Sequence, residues 1–256
     1  IANNAVINTS GAITTTGAFT SIGIDDNADA TAITIDSSED VTLSGHLASG
    51  VNKNIDLRDA DGHVSGRLRN VSGSNNSLTI EADPDNSASG SYISFKVDTS
   101  EKMKIDADGH VTMPSQSCFH VKGSRQNNVP KNATTDIQFN SERFDLNGDF
   151  DTSTYTFTAP VTGKYQINII LRYDNGDMDN SYYSLYLNTS NSNYRPCIHS
   201  QLSFDQDVDY FNMNGALVID MDANDTAKVQ LGIPNLGADQ VDLELPESVF
   251  SGYLVA

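Results

Sequence analysis

Three aspartates alternate with Gln206 and Val208 in Asp205-Gln-Asp207-Val-Asp209, directly ahead of Tyr210-Phe-Asn-Met-Asn-Gly215. Closely spaced carboxylates suit a hard cation, because Ca2+ takes several oxygen ligands and tolerates irregular geometry. Asp205, Asp207 and Asp209 offer oxygen ligands of that kind, with a solvated acidic loop the equally plain reading of the residues alone. Asp174, Asn175, Asp177, Asp179 and Asn180 make a second oxygen-rich tract, and Asp145, Asn147, Asp149 and Asp151 a third. The third resembles a calcium-hand loop only superficially, since its glycine and distant glutamate stand at the wrong offsets. Asp145 is expected to cap a turn instead.

A recognition surface is the other chemistry on offer. Tyr182, Tyr183, Tyr194, Arg195 and His199 fall in or beside expected loops, around the polar tract Asn188 to Asn193. Tyr and Arg anchor interfaces, while Asn and Ser supply adaptable hydrogen bonds, including bonds to sugars. Asp174, Asp177, Asp179, Tyr182, Tyr194, Arg195 and His199 are the candidate receptor contacts. Tyrosines alternating in strands also serve as core or as an interface between copies. Catalysis finds little footing: the chain has no nucleophile elbow, zinc-helix motif, phosphate loop or dinucleotide fingerprint, and only five His. Its carboxylates are too abundant to single out a sugar-cleaving pair.

The elements that must carry these groups are strands. Tyr155-Thr-Phe157-Thr and Tyr165-Gln-Ile167-Asn-Ile169-Ile-Leu171 alternate apolar and polar residues, and Pro160 and Gly163 break the run between them. Further runs are Tyr183 to Leu187, Met213 to Ile219, Ala227 to Leu231 and Val249 to Val255. Short strands bounded by Asn, Asp, Gly and Ser, with no helical period, predict an all-β sandwich or jelly roll.

Composition divides the chain. Only 38% of its 256 residues are hydrophobic and none is Trp, yet Phe and Tyr crowd into the C-terminal half. The first 113 residues scatter single Val, Ile and Leu among Ser, Thr, Asn, Asp and Gly, too few for an ordinary monomeric core. Either they are disordered or they share a core with other copies. Asp59-Ala-Asp-Gly62-His63-Val64 recurs word for word as Asp106-Ala-Asp-Gly109-His110-Val111, each after a short strand-like run. Ile33 to Leu43 is a looser copy. Each places an acidic turn between two β-like runs, a hairpin signal. His63 and His110 are expected as surface hairpin residues, with a three-fold axial ion site as the bolder alternative.

The formal charge of −19 argues against nucleic acid as a partner, since phosphate binding needs the opposite sign. No apolar run reaches the length of a membrane span, so no membrane insertion is expected. Cys118 and Cys197 are too few for a disulfide framework and are expected as free thiols. The chain opens at Ile1 without Met or a signal-like segment, as a processed product would. Its Asn-x-Ser/Thr sequons are no more than chance expects in so Asn-rich a chain.

The spacing of Phe139, Asp145, Phe150, Phe157, Gly163 and Tyr165 resembles the signature of the complement C1q family, relatives of the tumour necrosis factor fold. Ile167 and Ile169 stand where that family usually has aromatics. Ser248-Val-Phe250-Ser-Gly252-Tyr253-Leu254-Val255 is similar to its closing strand. The resemblance covers roughly Pro114 to Ala256 and implies a jelly-roll head that assembles as a homotrimer. It also implies that the loop holding Asp205, Asp207 and Asp209 offers carboxylates to calcium near the trimer axis. Three copies would carry three times −19, or −57, a crowding that bound cations relieve.

The opening from Ala5 to Ile22, with Phe95 to Met113, is similar in texture to the shafts of bacteriophage tail fibres. There three chains wrap together and share a thin core. The expected layout is a fibrous β shaft segment over 1–50, a β-hairpin repeat module over 51–115 and a C1q-like jelly-roll head over 116–256. The expected function is that of a virion adhesin: the distal part of a phage tail fibre or spike that binds a host surface glycan or protein receptor. Other virion tail proteins would be its attachment partners and the virion its location, outside the cell. The alternative is a secreted C1q/TNF-like interaction protein of a cellular organism. A polysaccharide depolymerase is the third class.

Overall fold

The computed structural model describes residues 19–20, 25–26, 33–35, 41–43, 54–71, 77–176, 181–200, 208–234 and 241–256. These are all-β, with a single 3-10 turn at Leu245–Glu247 as the only helical element among the described residues. The chain divides into two compact units, Ile1–Ser91 and Tyr92–Ala256.

In the first unit, β1 (Phe19–Thr20) pairs antiparallel with β2 (Asp25–Asp26), and β3 (Ile33–Ile35) with β4 (Val41–Leu43). β5 (Asn54–Arg58), β6 (Val64–Val71) and β7 (Ser77–Ala82) form a three-stranded sheet with β6 in the middle. Its two faces differ in kind. In register across the sheet run Asp56, Arg67 and Glu81 on one face, and Ile55, Leu68 and Ile80 on the other. Arg67 Nε lies 2.6 Å from Asp56 Oδ1, and Arg69 Nη2 lies 2.6 Å from Glu81 Oε1, so the charged row is paired. The apolar row is exposed, as are Leu57 and Leu78 at 64% and 74%.

The second unit opens with the same design. β8 (Ile93–Val97), β9 (Ser100–Ile105) and β10 (Val111–Thr112) form a three-stranded sheet that sets Ile93, Ile105 and Val111 in one row and Phe95 opposite Met103. Phe95, Val111 and Met113 are exposed. Among the described residues before Phe119, Val64 is the only buried hydrophobic one.

The three expected hairpins form. Arg58 pairs with Val64, Ile105 with Val111 and Ile33 with Leu43. The two exact copies share one turn: the Oδ1 of Asp59 accepts from the N–H groups of Asp61 and His63 at 3.0 and 2.9 Å. Asp106 does the same for Asp108 and His110 at the same distances. Gly62 and Gly109 both sit at φ +85°, the left-handed region that a side chain disfavours, so both positions call for glycine.

The head is a two-sheet sandwich. Its first sheet contains β11 (Cys118–Lys122), β12 (Gln126–Val129), β14 (Ser141–Asp145), β17 (Gly163–Gly176), β20 (Val208–Met221), β22 (Val241–Leu243) and β23 (Val249–Leu254). β17 is the central strand, paired along its length with β20 and on its other edge with β23 and then β22. The second sheet contains β13 (Ala133–Asp136), β15 (Phe150–Asp151), β16 (Thr156–Thr158), β18 (Tyr182–Thr189), β19 (Asn193–Ser200) and β21 (Thr226–Ile233). Alternation sends Tyr165, Ile167, Ile169, Leu171 and Tyr173 of β17, and Tyr183, Leu185 and Leu187 of β18, into one core with Phe119, Phe139, Phe157 and Phe250. The Tyr165 hydroxyl satisfies itself on the carbonyl of Val161 at 2.7 Å, which lets the ring be buried. Asp145 caps its turn as expected, accepting from the Phe150 N–H at 2.8 Å. Cys118 and Cys197 are free and half-buried; burial, with Asp145 nearby, pushes the Cys118 thiol pKa up.

Candidate functional site

Antiparallel order brings the end of β17, the starts of β18, β20 and β22, and the ends of β19 and β21 to one end of the head. Here the sequence-predicted residues separate. Asp177, Asp179, Asp205 and Asp207 lie outside the described residues. Asp209 is exposed at the start of β20.

Asp174 was expected in an oxygen-rich loop, but it lies in β17, opposite Tyr210 and Asp242, and is only 6% exposed. A buried carboxylate needs a cation, and Arg125 supplies it. Arg125 Nη2 lies 2.5 Å from Asp174 Oδ2 and 3.1 Å from Asp242 Oδ2, while Nη1 pairs with Glu244. The hydrogen bonds that Arg125 donates to Asp174 and Asp242 push the guanidinium pKa up. Three carboxylates thus share one cation. Nothing in the spacing of residues points to Arg125, which lies some fifty positions upstream of Asp174 and is brought to it by the pairing of β12 with β22.

Tyr194, Arg195 and His199 lie in strand β19, although the sequence placed them at loops. Pro196 and a register irregularity between Leu185 and Leu187 of its partner strand β18 disguise its alternation. Tyr194 packs half-buried against the core, and Arg195 is exposed. His199 packs edge-on against Phe211, with ring centroids 4.5 Å apart. Its Nδ1 lies 3.5 Å from the Tyr173 hydroxyl and its Nε2 3.5 Å from Cys197 Sγ. Burial lowers the His199 pKa and, together with the nearby Tyr183 and Cys197, raises that of Tyr173. Tyr183 is core, stacked on Tyr173 at 5.0 Å.

Tyr182 lies elsewhere, on the outer face of the second sheet. With Tyr186, Asn132, Ala133, Thr134, Gly232, Ile233 and Pro234 it lines a concavity of about 390 Å³. From sequence, Asn132 stands out only as the head of a chance sequon, Asn132-Ala-Thr134, and Tyr186 only as part of the run Tyr183 to Leu187. The signal available was parity: Tyr182 and Tyr186 are four apart in a strand and therefore share a face.

The outer face of the first sheet has a different character. Ile170 and Val218 are 41% and 61% exposed, and Tyr253 and Phe144 are also exposed; by pairing with their neighbours all four point away from the core. The Arg172 guanidinium sits 4.5 Å from the centre of the Tyr210 ring on the same sheet.

Asp106, Asp108 and His110 hold their ligand atoms within 4.8 Å of one another. Hydrogen bonds within the turn, foremost from the His110 N–H, account for the lowered pKa of Asp106.

The C1q domain model matches residues 118–255, which span β11 to β23. Among solved structures, the globular domain of zebrafish complement 1qA protein is similar at 18% identity, covering 56% of this chain and 98% of that one with a TM-score of 0.42. The crystal structure of murine APRIL at pH 8.5 is similar at 12% identity, covering 55% of this chain and 100% of that one with a TM-score of 0.41. No curated protein matches the chain. With the signature aromatics Phe139, Phe150, Phe157 and Tyr165 in the sandwich core and the family match spanning more than half of its length, the chain belongs to the C1q domain family.

Proposed function

We propose that this protein is a non-catalytic adhesive homotrimer, in which the C1q head recognises a surface ligand and the preceding β segment forms a shared shaft. The observation that carries the reading is a pair of apolar rows in a region where Val64 is the one buried hydrophobic residue among those described: Ile55–Leu68–Ile80, exposed throughout, and Ile93–Ile105–Val111, half-buried at the two isoleucines and exposed at Val111. Contiguous exposed apolar surface marks an association site. Copies arranged about a common axis would turn these rows inward and leave the paired charges outside.

Such a shaft feeding a trimeric head is the layout of the distal part of a phage tail fibre or spike. The protein would then stand on the virion, outside the cell, joined to other tail proteins and bound to a host surface glycan or protein. Weak contacts repeated three times would supply avidity. Asp205, Asp207 and Asp209 from each copy are the carboxylates assigned to Ca2+. Arg195 and Tyr182, exposed and half-exposed, are the described residues best placed for a ligand. The chain's charge of −19 speaks against nucleic acid, and among the described residues no helix is long and apolar enough to cross a membrane.

The deciding experiment measures mass in solution and adhesion of the labelled protein to bacterial cells. A particle near three times 27.6 kDa that decorates cells is expected. A monomer would overturn the shared shaft. A trimer that ignores bacterial surfaces would favour a secreted C1q/TNF-like interaction protein of a cellular organism, and release of reducing ends from host glycan a depolymerase.

A further inference from the structure

We propose that the concavity across β13, β21 and β18 is a binding site for a neutral saccharide. The assignment rests on reading the head as a recognition module and names the chemistry of its ligand.

The floor is built by one missing side chain. Gly232 of β21 lies in register between Thr134 of β13 and Ser184 of β18. A Cβ at Gly232 would meet Tyr186 Cε2 at 2.7 Å, so the Tyr186 ring lies close over bare backbone. Tyr182 stands four residues earlier on the same face and extends an aromatic wall. Opposite are the exposed side chains of Thr134 and Asn132. Asn132 is held at φ +59°, and its backbone N–H is engaged by the Ile233 carbonyl at 2.7 Å. Asn132 is therefore fixed in place by its backbone. Pro234 and Ile233 complete the lining.

This set of groups selects its ligand. Aromatic faces receive the apolar C–H faces of a sugar ring, while tyrosine hydroxyls, a threonine and an asparagine amide both donate and accept hydrogen bonds. None of the eight lining residues is charged. Further along β13 and β21 on the same face the charges are matched: Lys228 Nζ lies 2.6 Å from Asp136 Oδ2, and Gln230 Nε2 donates to Asp136 Oδ1 at 2.6 Å. In a chain of net charge −19 an anionic sugar would be repelled, and a cationic ligand would find no carboxylate in the groove. A volume of about 390 Å³ lies within the range of about 300–1,000 Å³ usual for small-molecule sites. The walls stand on paired strands, so little ordering is needed on binding. The face is also the one opposite the sheet that exposes Ile170 and Val218, so association through that sheet leaves the groove open.

Titration of the full chain with methyl glycosides of glucose, galactose, mannose and N-acetylglucosamine tests the proposal, read by saturation-transfer NMR and tyrosine fluorescence. A proline-rich peptide and a sialylated glycoside serve as comparison ligands. At least one neutral glycoside should bind. Tyr186→Ala should weaken it by at least about tenfold. Gly232→Ala, whose new methyl pushes the Tyr186 ring aside, should do likewise while leaving the melting temperature near that of the native chain. Arg172→Ala, on the other sheet, should bind as the native chain does. The assignment is overturned if no neutral glycoside binds, if Tyr186→Ala binds unchanged, or if the peptide or the sialylated sugar binds in their place. Cell adhesion by a chain that binds no glycoside sinks the saccharide and spares the adhesin reading. Glycoside binding without adhesion does the reverse.

Discussion

Phe119 of β11 and Phe157 of β16 stack with ring centroids 4.6 Å apart, one ring from each sheet of the head. Phe250 meets Phe119 edge-on at 5.0 Å from the same sheet as β11. The sandwich is closed at this point by aromatic contact between its layers. Phe157→Ala removes a fully buried ring there and is expected to cost the head about 3–5 kcal/mol. Denaturant unfolding of the trimmed head and of the whole chain would measure it; a change below about 1 kcal/mol would mean that the layers are held elsewhere.

Association should depend on the outer face of the first sheet. Ile170→Glu combined with Val218→Glu is expected to reduce the particle from three times 27.6 kDa toward a single chain, since charges at two exposed apolar positions resist burial. Sedimentation velocity reads this directly. An unchanged trimer would place the contact on another face.

The apolar rows before the head make a separate prediction. Leu68→Asp sets a carboxylate in the middle of the Ile55–Leu68–Ile80 row. Limited proteolysis should then cleave the region before Ser117 much faster, with the melting of the head unchanged. Equal protease resistance in both chains would show that this row stays in water.

Calcium is tested by removal. Chelator should lower the melting temperature of the native protein, and Asp205→Asn combined with Asp209→Asn should lower it equally and abolish the chelator's effect. A native protein indifferent to chelator removes the ion and leaves the fold intact.

Acid should destabilise the head through its histidines. Burial depresses the pKa of both His120 and His199 from the ordinary 6.5, with Lys122 and Arg143 adding to the effect at His120. A histidine with a depressed folded pKa binds fewer protons folded than unfolded. Its contribution is complete above the unfolded value and is lost as pH falls from about 6.5 through the window down to the folded value. Lowered carboxylate pKa values act in the same direction further down: at Asp136, hydrogen bonds from Lys228 and Gln230 outweigh the desolvation that would raise it. Melting temperature should therefore fall between pH 7 and pH 5, and His199→Gln should flatten that slope. A flat native profile would show that both rings are free to charge in the fold.

Legibility in the sequence followed periodicity. The alternation of Tyr165 to Leu171 and of Tyr183 to Leu187 predicted strands that form with the expected faces buried. The repeated acidic turns predicted hairpins, because Asp-x-Asp-Gly specifies its own local geometry. Legibility stopped where a residue's environment comes from far along the chain. Asp174 looked like loop because it is acidic and followed by Asn-Gly, and only Arg125 makes it tolerable in a strand. β19 looked like loop because Pro196 and the irregular pairing hide its alternation. The groove was invisible for the same reason: Thr134, Gly232 and Tyr186 are neighbours across three strands and distant in sequence.

The order of elements along the chain has a consequence for biogenesis. Among the described residues, the hydrophobic core lies after Ser117, while Val64 is the one buried hydrophobic residue before it. On the proposed trimeric reading, a ribosome delivers the segment that shares its core with other copies before the head that gathers them. On the trimeric reading, each nascent chain waits unordered until its head is complete. Three heads then fix three tethered strands at high effective concentration, and order spreads backward from the junction toward Ile1. Truncation from the C-terminus should thus remove the whole fibre, whereas truncation from the N-terminus should only shorten it.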